Sequence, residues 1–401
     1  MNPRSLLVFA VALLLGALGV GAINRFYKPE RPIEIRAPPS LPEPDVTPVR
    51  SRREPVYPAA SIEPRVPSAS VDVEWAKRNR DAIELLDDGE YDQAIALFEQ
   101  CRAAIPGESV FAANLAEALA RLSVRQYDSG DADQRAESLV NLRRASELAP
   151  DRDDLRQRLA QLERLAESER GFWTDESEHF ALTFDGERDE LLRRAPNFVQ
   201  SLERIYMDLG DAFRHRPVES GRAKIRVVLY RQTGFHAATG MGHWAGGVYD
   251  GSVRVPVEDL AREAAALDRV LRHEIAHAFV HSLGGNSVPG WLNEGVAQWL
   301  ETGANDRALS IATARARLVG KTLIPLADLK KSLSELGDAD RIAIAYAEAV
   351  AFVGHLEQAY GDDVLLEMIA GCRAARACDA VFEARTGIAL ETAFGDFAAT
   401  L

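Results

Sequence analysis

His273 and His277 stand four residues apart in LRHEIAHAF, with Glu274 beside the first of them. Residues four apart on an α-helix project from one face, so both imidazoles can reach a single cation while a carboxylate sits next to it. A hydrolytic zinc site takes three protein ligands and keeps a fourth position for water. Two histidines therefore call for one more ligand. Glu294, in PGWLNEGVAQWLE, supplies it if the helix that follows turns back over the first. His281 does not, because eight residues of helix place it ~12 Å along the axis from His273. A third histidine six residues past the motif is also missing, since Val280 and Leu283 stand where a Gly and a His would be needed. The expectation is one Zn2+ per chain, held by His273, His277 and Glu294. Glu274 is then the general base that takes a proton from water and returns it to a leaving amine.

The elements that must position these groups can be read around them. Val270, Leu271, Ile275, Ala278 and Phe279 give the first helix an apolar face, and Gly284-Gly285 marks its end. Pro289-Gly290 suits the first turn of a second helix, whose apolar face is Trp291, Leu292, Trp299 and Leu300. Upstream, HFALTF alternates like a half-buried strand, an amphipathic helix runs to about Phe213, and AKIRVVLY is rich in β-branched residues. GGVYDGSVRVPV reads as a hairpin turning at Asp250-Gly251. The Gly-rich QTGFHAATGMGHWAGG, with His236, His243 and Trp244, reads as a loop over the cleft. Strands first and helices after them define an α+β domain over residues 171–401.

H-E-x-x-H followed by a glutamate in an N-E-G context resembles the gluzincin metallopeptidases, and the stretch is most similar to the small bacterial peptidase MA-like domains. The resemblance implies a zincin-like fold, the ligands His273, His277 and Glu294, and Glu274 as base. It also implies that Gln298, one turn beyond Glu294, orients a ligand histidine. Tyr346, in IAYAEAVAFVGHLEQAYG, becomes the candidate hydrogen-bond donor to a developing oxyanion. The hairpin would offer its edge to an extended peptide or protein substrate.

The first half of the chain is organised differently. Residues 73–170 are helical in pattern. Gly89, Tyr91, Ala94, Phe98, Cys101 and Pro106 keep the spacing of a tetratricopeptide repeat, and Leu142, Ala145 and Pro150 close a second unit. Such a helical domain offers a groove to a protein partner or substrate. Residues 25–72 are Pro-rich and read as an extended linker. Leu6 to Ile23 is an uncharged apolar run, so residues 1–24 read as a transmembrane anchor or a signal peptide. The expected location is the bacterial cell envelope, membrane-anchored with the folded part outside the cytoplasm, or secreted after cleavage. Arg25, Lys28, Arg31 and Arg36 run against that orientation.

Composition narrows the remaining classes. In 401 residues there are 47 basic and 61 acidic side chains, a net charge of −14, which argues against a nucleic-acid partner. Three cysteines are too few for a disulfide framework, although Cys372 and Cys378 are close enough to bridge and Cys101 reads as a core residue. The rival from another class is a peptidase-like scaffold without activity that serves protein interaction. His273, Glu274, His277 and Glu294, all intact, weigh against it.

Overall fold

A computed structural model describes residues 65–401 apart from 69–70, 128–131, 220–223, 242–245, 259, 303 and 374–377. The apolar run at Leu6–Ile23, most of the Pro-rich linker, His243 and Trp244 lie outside the described residues. Among the described residues no helix is long and apolar enough to cross a membrane. The described residues belong to one compact unit.

Five helices come first: α1 (Val73–Asp87), α2 (Tyr91–Ala104), α3 (Ser109–Tyr127), α4 (Ala132–Leu148) and α5 (Asp153–Ser168). They pack in sequence, and Ala82, Leu86, Ala94, Phe98, Leu115, Leu119, Leu142, Ala145 and Leu162 fill the space between them. Small alanines at the contacts let the paired helices approach closely. Of the positions that keep the repeat spacing, Ala94, Phe98, Cys101, Leu142 and Ala145 are buried, whereas Pro106 and Pro150 are exposed.

The sheet that follows has the order β1-β2-β3-β5-β4. Its strands are β1 (Phe172–Glu176), β2 (Phe180–Asp185), β3 (Ile225–Tyr230), β4 (Val248–Tyr249) and β5 (Val253–Pro256), with helix α6 (Asp189–Phe213) between β2 and β3. The three central strands are parallel, while β1 and β4 close the edges in antiparallel register. Both faces are covered. Ile225, Val227 and Leu229 of β3 point into the core shared with α6 and the C-terminal helices, whereas Val228 and Tyr230 join the core of the first five helices. That double burial is why β3 reads IRVVLY, a nearly continuous apolar run rather than an alternation.

The Gly-rich stretch expected to be a loop over the cleft is instead helical over α7 (Gln232–Thr239). Phe235 and Ala238, three apart, bury one face against the N-terminal helices, and Gly240 ends the helix with φ of 70°. After β5 the chain is helical: α8 (Leu260–Gly284), α9 (Gly290–Glu301), α10 (Ala304–Leu318), α11 (Ala339–Tyr360), α12 (Asp362–Arg373), α13 (Cys378–Thr386) and α14 (Leu390–Ala399). Cys372 and Cys378 are bridged, tying α12 to α13, and Cys101 is buried as a free thiol.

One charged cluster joins the two cores. Arg254 on β5 faces the N-terminal helices and is fully buried. Its Nε donates to Asp250 Oδ2 at 2.9 Å and its Nη1 to Tyr230 Oη at 2.6 Å, while Glu169 also accepts from Nη1 and Tyr127 from Nη2. Arg226 on β3 also bonds Glu169. Tyr127 ends α3, Glu169 follows α5, and Asp250 sits in the β4–β5 turn. A single guanidinium therefore fastens the helical half to the hairpin.

Candidate metal centre

His273 and His277 lie one turn apart in the middle of α8, as their spacing requires, and α9 crosses above them through the short turn at Gly285–Ser287. Close approach of α9 to α11 depends on Gly295: a Cβ there would stand 2.6 Å from the Ala349 carbonyl oxygen. The glycine after Glu294 thus lets that carboxylate descend toward the histidines. Trp291 packs on Phe352 with ring centroids 4.9 Å apart and fixes the beginning of α9.

Three ligand-type atoms converge. His273 Nε2 and His277 Nε2 are 3.2 Å apart, and Glu294 Oε2 lies 3.5 Å from the first and 3.7 Å from the second. Zinc bonds of about 2.0–2.2 Å in a tetrahedron separate neighbouring ligand atoms by roughly 3.3–3.6 Å. The triangle fits that edge length. His273, His277 and Glu294 are also the one group of His, Cys, Asp or Glu side chains found suited to a metal ion among the described residues.

Each histidine is held from behind. His277 Nδ1 meets Asn293 Oδ1 at 2.9 Å, and His273 Nδ1 meets Glu301 Oε2 at 3.2 Å. Glu301 is held in turn by Arg269 Nη2 at 2.6 Å, from the turn of α8 before His273. An acceptor behind each Nδ1 holds a proton there and turns Nε2 toward the centre of the trio, the side from which a cation could be bound. Gln298, expected to orient a histidine, does not do so. Its amide donates to the Tyr346 carbonyl at 3.2 Å and bridges α9 to α11, because one turn past Glu294 points toward α11. The orienting carboxylate comes from Glu301, two turns past Glu294 and back on the face over α8. That spacing was the available signal, and Asn293 adjoins a predicted ligand.

Glu274 is buried beside the trio, and its surroundings set its proton affinity. Burial pushes its pKa up to about 7; His273 pulls it down, while Glu294, Glu301 and Asp250 push it further up. Burial opposes a charged His273, yet the carboxylates of Glu294 and Glu301 outweigh it and hold that imidazole well above its usual range. His277 is moved the other way, below the usual imidazole range, chiefly by burial. Burial alone would raise Glu294, but the two imidazoles keep it below the carboxylate norm. The backbone of Gly247, just before β4, closes over Glu274: a Cβ there would fall 2.9 Å from both Cγ and Oε1 of that side chain. The hairpin edge and the putting of a base beside the histidines are therefore one construction. Tyr346 is half-buried on α11, and its backbone is joined to the Glu294 helix through Gln298.

Two imidazoles and a carboxylate thus converge beside a buried glutamate, under the backbone that leads into β4. Residues 232–399 match the family model of the Peptidase MA superfamily, which supports a peptidase MA-like domain over this stretch. The match starts at α7 and takes in β4, β5 and every helix that carries the cluster. No curated protein matches the chain.

Proposed function

We propose that the protein is a zinc-dependent peptidase of the gluzincin type, in which His273, His277 and Glu294 hold the metal and Glu274 moves the proton. The observation that carries this reading is the triangle of Nε2, Nε2 and Oε2 atoms at 3.2–3.7 Å with a buried carboxylate next to it. Zinc bound there acidifies water and polarises a carbonyl oxygen. Glu274 takes the proton of the attacking water and gives it to the leaving amine. The open edge of β4 aligns an extended substrate by main-chain pairing. Tyr346 is the proposed donor to the oxyanion. Helices α1–α5 are tetratricopeptide-like repeats that recruit the substrate or a partner, and residues 1–24 attach the protein to the bacterial envelope or direct its export.

The test is metal analysis of the purified protein together with cleavage of a peptide library. About one zinc per chain is expected, with activity lost to a chelator and restored by zinc. Metal-free protein that cleaves peptides, or zinc-loaded protein inert toward the whole library, contradicts the proposal.

A further inference from the structure

Arg226 stands on the face of β3 that carries Val228 and Tyr230 into the core of the first five helices, opposite the face turned toward α8. It is 3% exposed. Its Nη2 donates to Glu169, a carboxylate that Arg254 also uses. Its Nε and Nη1 are buried and have no partner. Nε carries one N–H and Nη1 two, so most of this guanidinium's hydrogen-bonding capacity is unmet. Donors on a buried cation are costly to leave in that state, and protein interiors rarely do so.

The neighbours of Arg226 extend the pattern. The parallel register that pairs Val227 with Val253 and Val228 with Arg254, carried one step back, sets Arg226 beside Ser252. The Ser252 hydroxyl is likewise buried without a partner. On its other side Arg226 pairs with Ala181, so only small side chains flank it within the sheet. Arg135 approaches from the first turn of α4, the positive end of that helix's dipole. Burial and the charge of Arg226 bring the Arg135 pKa down to about 10, against the opposing pull of Glu169. Two cations are therefore crowded where the unmet atoms can all donate. Water would meet the donors but leave the crowding; a metal ion would worsen it. A ligand that only accepts, carries negative charge and spreads its oxygens in several directions answers both.

We propose that the junction of β3, Ser252 and the first turn of α4 binds one small tetrahedral oxyanion of the phosphate or sulfate class, received by Arg226 and Ser252 with Arg135 beside it. The anion fastens α4 to the sheet next to the Arg254 cluster. The site lies on the other face of the sheet from the histidines, and neither zinc nor hydrolysis enters the argument for it.

Sodium phosphate is titrated calorimetrically into the full protein in chloride buffer at constant ionic strength, before and after treatment with a chelator, and sodium sulfate in parallel shows which anion is preferred. One saturable anion per chain is expected, unaffected by chelation, with a melting temperature that rises with anion concentration as linkage requires. Arg226→Lys keeps a charge for Glu169 but removes the guanidinium donors, and should weaken binding about tenfold or more. Ser252→Ala removes a single hydroxyl and should weaken it about threefold or more. No saturable binding of either anion, or binding that the chelator abolishes and that therefore belongs to the metal centre, overturns the proposal. So does unchanged affinity in a folded Arg226→Lys protein. If Arg226→Lys does not fold, Ser252→Ala decides alone, and undiminished binding there overturns it.

Discussion

Two buried polar clusters lie on either side of the hairpin, and they differ in how their charges meet, in guanidinium–carboxylate pairs around Arg254 and with carboxylates in excess around His273. Around Arg254 two guanidinium groups meet two carboxylates in direct contact, Arg254 and Arg226 with Asp250 and Glu169. Burial alone would raise Glu169, but the two arginines outweigh it and hold its pKa down at about 2. The cluster around His273 is unbalanced. Among the described residues Glu301 is paired with Arg269, no other Lys or Arg forms an ion pair with Glu274, Glu294 or Glu301, and the groups are pushed in opposite directions, with Glu274 raised to about 7 and Glu294 lowered. Guanidinium–carboxylate pairs act as a fastener, whereas a cluster with excess negative charge and converging lone pairs suits a cation from outside.

The sharpest way to break this contrast is to remove one member from each cluster in metal-free protein. Arg254→Met should cost about 3–5 kcal/mol, because Asp250 and Glu169 are left buried and unpaired. His277→Gln should cost far less, since the neighbours of its Nε2 keep other partners: Glu294 keeps His273 at 3.5 Å, and His273 keeps Glu301 at 3.2 Å. Denaturant unfolding of both variants decides the matter, and equal losses would erase the distinction.

A smaller effect separates Glu301 from Gln298. Glu301→Gln should weaken zinc binding by about 10–100-fold, as loss of an orienting carboxylate does, while Gln298→Ala should leave zinc affinity nearly unchanged. Competition with a chromophoric chelator measures both. A strong effect at Gln298 with none at Glu301 would return the orienting role to the position one turn past Glu294.

The smallest expected effect lies outside both clusters. Glu348 on α11 is buried, accepts from the Ile324 N–H at 2.8 Å, and has its pKa pushed up to about 7 by burial. A raised folded-state pKa stabilises fully below the unfolded value of about 4.5 and is lost as pH rises through about 7. Between pH 5 and 8.5 the wild type should therefore lose stability that Glu348→Gln retains, which thermal melts across that range will register.

Much of the metal centre is legible in the sequence because helical periodicity is local. The four-residue step of His273 and His277 and the paired tryptophans of α9 fix faces without tertiary information. The fold's class is legible for the same reason, as the strands precede the C-terminal helices and β3 carries an apolar run. What tertiary packing decides was not legible. Gln232–Thr239 becomes a helix because Phe235 and Ala238 find a surface on the N-terminal helices, and Gly-rich composition alone hides that. Arg254 looks like the outward residue of an alternating strand, yet its outward face is covered by α3 and α5. Glu301 is recruited over Gln298 because α11 claims the intervening turn.

The central claim is that Glu274 moves the proton at a zinc centre without holding the metal. The direct measurement is turnover and zinc content of Glu274→Gln, which keeps the shape of the side chain and removes its basicity. The account predicts wild-type zinc content with turnover lower by ~10²–10⁴-fold. A zinc-loaded Glu274→Gln protein that cleaves peptides at the wild-type rate would contradict it.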